Sequence, residues 1–126
     1  MNPMCLYAVE IEPDVADWLR SLSDKDFGRV DVYVGMLVEN AETLGEPWSR
    51  NLGDGVWELR FHLHPREMRI TYWLATGRRI ILLTVFRKTR MREATEVARA
   101  KYLRKVCEAE HDHARASFDR EVVDDG

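Results

Sequence analysis

Between Trp57 and Trp73 the chain reads WELRFHLHPREMRITYW, with apolar and polar residues changing places at almost every step. Successive side chains of a β-strand point to opposite faces, so the pattern predicts two half-buried strands, at residues 56–63 and 68–75. A third segment, RIILLTVFR at 79–87, is apolar on both alternations. That fits a central strand covered on each side. The connections HPRE and TGR are short, so the three strands should pair as an antiparallel meander. Residues 6–11, LYAVEI, alternate and end at Pro13, which predicts one further strand.

Elsewhere the period changes. Val15, Trp18, Leu19 and Leu22 fall on one helical face, so residues 14–22 should form a helix, with Asp14 near its positive end. Phe27, Val30, Val34, Leu37, Val38, Ala41 and Leu44 form the stripe of a second helix over 24–44. Ser23 followed by Asp26 resembles a capping pattern at its start, and Gly45 and Pro47 end it. GEPWSRNLGDG at 45–55 is rich in turn formers and reads as a loop. A last helix is expected over 91–106, with Ala94, Val97, Ala98, Tyr102 and Val106 on its packed side. The predicted order is β-α-α-β-β-β-α. This is an α+β fold in which an N-terminal helical hairpin packs on one face of a mainly antiparallel sheet and a C-terminal helix follows. Residues 1–106 form one domain, and 107–126 an acidic C-terminal extension that either prolongs the helix or is partly disordered.

Composition narrows the class. With 126 residues, 45% of them hydrophobic, the chain can bury one modest core and no more. Cys5 and Cys107 lie far apart and are expected to be reduced thiols, not a disulfide. No apolar run approaches the length of a membrane span, and the first residues lack the pattern of a signal peptide. A cytoplasmic protein is expected. The net charge of −3 conceals a division: residues 1–59 hold 4 basic and 12 acidic side chains, 60–105 hold 13 and 3, and 106–126 hold 2 and 7. A basic block inside an acidic chain points to a localised polyanion site. The plainer reading is a set of solvated arginines on exposed faces.

The strand alternation says where that block should lie. Trp57, Leu59, Phe61 and Leu63 share a face with Met68, Ile70, Tyr72 and Leu74, and should pack on the helical hairpin. The opposite face would display Glu58, Arg60, His62, Arg69, Thr71 and Trp73, with FRKTR entering from the end of the central strand. An open cationic floor is expected there. Each residue has a structural alternative: a Glu58–Arg60 ion pair, Trp73 packing against the last helix, His64 as a solvated turn residue, and Tyr102 as core. His62 and His64 have a chelating spacing but no Cys or acidic partner at the spacing of a closed site, so no metal is expected. No phosphate loop, zinc-cluster spacing or serine elbow is present.

The segments LGDGVWELRF, REMRITYWLATGRRIILLTVFRKTR and MREATEVARAKYL, in that order, resemble the RelE/ParE superfamily of bacterial toxins, most closely its HigB-type, phage-related branch. The likeness covers about residues 6–106. That branch typically shows a WELR-like strand, an R-I/V-x-Y strand, an apolar strand ending in F-x-K, and an alanine-bearing helix. The resemblance implies a RelE-like fold and a ribosome-dependent mRNA endonuclease that works through 2′-OH attack, without metal or cofactor. It implies as partners a helix-turn-helix, HigA-like antitoxin from the same operon, the 70S ribosome and mRNA, and a SecB-like chaperone acting through the antitoxin, with no membrane.

By motif position Arg60, Arg69 and Lys88 match basic positions that the family uses. Arg69 with Arg87 or Lys88 would stabilise transition-state charge. His62 would serve as acid or base, and Glu58 would orient it or be the base itself. Arg60 and Arg90 would hold flanking phosphates, Arg66 and Arg92 would add RNA contacts, and Trp73 would stack on a base. Several ribonucleases of the superfamily use a C-terminal tyrosine, for which no clean counterpart stands here. Two other readings remain open: a ParE-like gyrase poison, which would not need such a convergent cluster, and an inactive antitoxin-binding remnant.

Overall fold

The computed structural model describes residues 7–89, 93–110 and 116–117. The chain runs β1 (Ala8–Ile11), α1 (Pro13–Arg20), α2 (Asp24–Glu39), β2 (Ser49–Gly53), β3 (Val56–Leu63), β4 (Arg66–Ala75), β5 (Arg79–Arg87), α3 (Glu93–Glu110) and β6 (Ala116–Ser117). One sheet holds all six strands in the order β2-β3-β4-β5-β1-β6. The meander β3-β4-β5 is antiparallel as the alternation predicts, and β1 returns parallel to β5. No helix among the described residues is long and apolar enough to cross a membrane.

Local chemistry sets the helix starts. Pro13 opens α1 with its φ already helical and no N–H to waste. Ser23 caps α2 by accepting from the N–H of Asp26 at 3.1 Å, with Asp24 and Asp26 in the first, electropositive turn. α2 stops at Glu39, short of the expected Leu44, although Ala41 and Leu44 still pack on the core through the turn that follows.

The expected loop at 45–55 contains a strand. β2 pairs with β3 through Ser49↔Leu59, Arg50↔Glu58 and Asn51↔Trp57. Its Ser-Arg-Asn-Leu-Gly sequence has no β-branched residue, so propensity gave no signal, and tertiary pairing decides instead. Gly53, Asp54 and Gly55 all have positive φ in the turn to β3, a conformation that glycine adopts without a Cβ clash. A Cβ on Gly55 would also come within 3.3 Å of the Arg104 guanidinium on α3.

The two sheet faces bury different things. On one, α1 and α2 cover the main core: Val15, Leu19, Val30, Val34 and Leu37 from the helices against Leu59, Leu63, Ile70, Tyr72, Ile80 and Leu82. On the other, α3 covers a smaller cluster of Val56, Trp73, Ala75, Ile81 and Leu83, to which it contributes Ala100, Leu103 and Cys107. β5 feeds both clusters, as its double apolar alternation requires. Leu83 is the extra residue of a bulge opposite Thr71/Tyr72, after which Thr84 pairs with Thr71 and Val85 packs on the hairpin core.

The packed side of α3 differs from the one expected. Ala94 and Ala98 are exposed and Tyr102 is 65% exposed, so Tyr102 is not core. Both stripes have helical spacing; the buried one holds Arg104, whose guanidinium lies 4.7 Å over the Trp73 ring, and that charge disguised it. The helix continues past Val106 to Glu110, so Cys107 is a free, buried thiol inside the fold. Burial, followed by the nearby Glu12 carboxylate, pushes its pKa up. Cys5 and most of the acidic extension lie outside the described residues.

Candidate functional site

The face expected to be an open floor is divided by α3. Glu58 is 0% exposed and Arg69 4%, while Thr71 and Trp73 are also buried. The helix hairpin was expected to cover one face only, but α3 closes the centre of the second. Trp73 therefore packs under α3 and Arg104 and is not a platform for a base. Thr71 bonds Thr84 across the strands at 2.6 Å.

Glu58 lies at the bottom of this covered region. Its Oε2 stands 3.7 Å from Arg69 Nε and 3.6 Å from Arg60 Nε. These are ion-pair distances without hydrogen bonds: both Glu58 oxygens and Arg69 Nε lack a hydrogen-bond partner among the described residues. Burial, and next the charge of Glu93 at the start of α3, raises the Glu58 pKa; Arg69, Arg60 and Arg50 oppose the rise without cancelling it. A carboxylate sealed from solvent cannot take a proton from a substrate, so Glu58 is not the base. Its place is beneath the two arginines, where it fixes their positions.

The open part lies further along the strands. β2 stops pairing at Ser49↔Leu59, with one more bond from the Arg60 N–H to the Trp48 carbonyl at 2.8 Å. Beyond that point a cleft of about 340 Å³ wraps the edge of β3. Arg60, His62, Glu67 and Arg69 form one wall, and Tyr33, Pro47, Trp48 and Phe61 the other. The strand register explains the first wall: Arg60 stands opposite Arg69 and His62 opposite Glu67. His62 Nδ1 donates to Glu67 Oε2 at 2.7 Å. An ionised carboxylate only accepts, so Nδ1 carries the proton and Nε2 is left for another group. Arg69 Nη1 donates to the Met68 carbonyl at 3.0 Å and lies 3.9 Å from Glu67 Oε1. Arg60 Nη1 pairs with Glu46 at 3.1 Å.

The remaining cations do not share this cleft. Strand alternation sends Arg66 and Arg87 to the hairpin side, where they line a separate pocket with Trp18 and Met68. Lys88 lies just past β5; its N–H donates to the Glu67 carbonyl at 2.8 Å and its residue is exposed. Arg90 and Arg92 lie outside the described residues. His62 and His64 rings are 5.8 Å apart, and His64 is an exposed turn residue. Sequence reasoning missed Trp48, Tyr33 and Glu67. Trp48, 41% exposed in a segment of turn formers, had a signal: a large aromatic with no periodic partner. Glu67 had a weaker one, its place opposite His62 in a tight antiparallel pair.

The model of the phage-derived Gp49-like protein family (DUF891) matches residues 17–105, a span that takes in the whole cleft. The chain belongs to this family. No curated protein matches it. Among solved structures, a double arginine-to-alanine mutant of the E. coli toxin RelE in the free state is similar, with a TM-score of 0.56 at 15% identity over 79% of this chain and 97% of that one. At that identity the likeness is one of fold. The chain is thus a Gp49-like protein with a RelE-like fold.

Proposed function

We propose that this chain is the toxin of a toxin–antitoxin pair and an endoribonuclease that cuts mRNA on the ribosome. The observation that carries the reading is the meeting of Arg60, Arg69 and the His62–Glu67 pair in one open cleft at the edge of β3. Two guanidiniums, an imidazole with a free nitrogen, and an aromatic wall are what single-stranded RNA needs, for its phosphates, its reacting hydroxyl and its bases in turn.

In the proposed reaction an RNA 2′-oxygen attacks the adjacent phosphorus. A P–O2′ bond forms, the P–O5′ bond breaks, and the products end in a 2′,3′-cyclic phosphate and a 5′-hydroxyl. The 2′-OH proton leaves and the departing 5′-oxygen receives one. His62 Nε2 handles one of these transfers, and Glu67 steadies the imidazolium that forms, as a carboxylate does behind any catalytic imidazole. Arg69 and Arg60 face the phosphate, whose negative charge increases in the transition state, so fixed cations lower the barrier and not merely KM. Lys88 is outside the cleft lining, but its N–H on the Glu67 carbonyl keeps it near enough to hold RNA that extends past the cleft. DNA lacks the nucleophile and would be spared.

The partner that would restrain this activity is a helix-turn-helix antitoxin from the neighbouring reading frame. The test is to combine purified chain, ribosomes and a defined mRNA, and to analyse the termini. Cut RNA with 5′-hydroxyl ends supports the proposal. Intact RNA, beside gyrase that stalls on DNA, would move the reading to a ParE-like poison.

A further inference from the structure

Across β4 from the cleft, at the same end of the sheet, lies a second pocket of about 380 Å³ lined by Trp18, Arg66, Met68, Val85, Phe86 and Arg87. Alternation produces it: Arg69 and Glu67 point one way from β4, Met68 and Arg66 the other. Its floor is apolar, built from Trp18 of α1 with Met68 and Val85, while Phe86, paired opposite Arg69, belongs by alternation to the other face. Two guanidiniums belong to it. Arg66 reaches Asp26 only at 4.0 Å and its Nε has no hydrogen-bond partner among the described residues. The exposed Arg87 side chain makes no ion pair among them.

We infer that this pocket is a docking site for a protein partner, and that its occupant is a short acidic segment carrying one bulky apolar side chain. Charge complementarity requires an anion at Arg66 and Arg87, and the floor requires an apolar group within a few ångströms of it. A nucleotide also joins an anion to a flat ring. But the Trp18 indole N–H is the one neutral hydrogen-bonding side-chain group in that lining, so most of the polar edge of a base would be left unpaired, at a cost of about 1–3 kcal/mol per group. A leucine or phenylalanine side chain brings no such group. An aliphatic or aromatic residue flanked by Asp or Glu satisfies both halves: the side chain on Met68 and Val85, the carboxylates in forked contact with the arginines.

The toxin–antitoxin reading enters here only to name the partner, since an antitoxin is the protein such a chain would be built to receive. The pocket's chemistry does not depend on it. An antitoxin anchored here would hold the toxin by a surface separate from the cleft.

The test uses the full chain, 15N-labelled, and a designed probe peptide of the pattern Asp-Glu-Leu-Phe-Asp-Glu. Controls replace its apolar pair by serine or its acids by amides, and a further arm adds single-stranded oligo(A) RNA. The inference expects peptide-induced shifts at the Trp18 indole and the amides of Arg66, Val85 and Arg87, with none at Trp48 or Arg60. Arg66→Glu and Arg87→Glu should each weaken binding about tenfold or more, the loss of one charged hydrogen bond, while leaving RNA cutting unchanged. No binding, equal binding of either control peptide, or RNA producing these shifts in place of the peptide would overturn it. Should the wild-type chain leave RNA intact yet bind the peptide as described, the nuclease reading falls and the docking site stands.

Discussion

The two faces of the β3-β4-β5 meander come from the same strands and are both covered by helices, yet they are built on different principles. Against α1 and α2 the sheet presents Leu59, Leu63, Ile70, Leu82 and a Tyr72 whose hydroxyl bonds Ser49 at 2.6 Å. Among the described residues no buried ion pair stands at the centre of that core, and close packing gives the chain its stability. Against α3 it presents Glu58, Arg69, Thr71 and Thr84, also buried. Charges held at 3.6 and 3.7 Å without hydrogen bonds are poor stabilisers once desolvation is counted. Such an arrangement makes sense as support for the arginines that emerge a few ångströms away. One face holds the fold together; the other gives up stability to aim a site.

That contrast can be broken most strongly at the cleft. His62→Ala should lower the rate of RNA cutting by about 10²–10⁴-fold, the usual weight of a proton-transferring residue, and leave the urea midpoint almost unchanged because His62 is part-exposed. Glu67→Gln should lower it by less, with single-turnover rates as the measurement for both. The hairpin face should behave in the opposite way. Leu37→Ala should destabilise the chain by about 2–5 kcal/mol in urea titrations, with the cutting rate per folded molecule unchanged.

Glu58 lies between these extremes. Glu58→Ala should cost about 3–5 kcal/mol, because buried Arg69 is left with Glu67 alone, at 3.9 Å, as counter-charge, and Glu58→Gln should cost less. The pH dependence has a definite sign. Glu58's pKa in the fold is raised above its ordinary 4.5, so the folded state binds more protons than the unfolded state across that interval. Stability therefore falls as pH rises from 4.5 through the raised value. In Glu58→Gln this part of the slope should vanish, as urea midpoints measured across the interval will show. The smallest effect is expected at Lys101, which pairs with Asp54 at 3.4 Å on the surface: Lys101→Ala should shift stability by no more than about 1 kcal/mol.

The same asymmetry explains what was legible in the sequence. The strands of the meander, their register and the hairpin core could be read because one face is apolar throughout, and a slip of one residue would expose all of it. The RelE-like fold was expected from the resemblance carried by LGDGVWELRF, REMRITYWLATGRRIILLTVFRKTR and MREATEVARAKYL in that order. What could not be read depends on α3. Its alanines offer two stripes of similar spacing, and the buried one, Ala100, Leu103 and Cys107, is flanked by Arg104. Without that face, the covering of Glu58 and Trp73 was invisible, and the site seemed wider than it is. β2 escaped because Ser49 to Gly53 carries turn formers, and Trp48 escaped with it. Arg66 was grouped with Arg69 as its near neighbour in sequence, and Arg87 as part of FRKTR at the end of the central strand, although alternation separates both from it.

The measurement that bears most directly on the central claim is a map of mRNA 5′ ends in cells after induction of the wild-type chain and of an Arg60→Ala/His62→Ala variant. New 5′-hydroxyl ends within coding regions for the wild type, lost in the variant while its folded yield is retained, are predicted. The same ends in both, or arrested growth over intact messages, would contradict the assignment of the cleft.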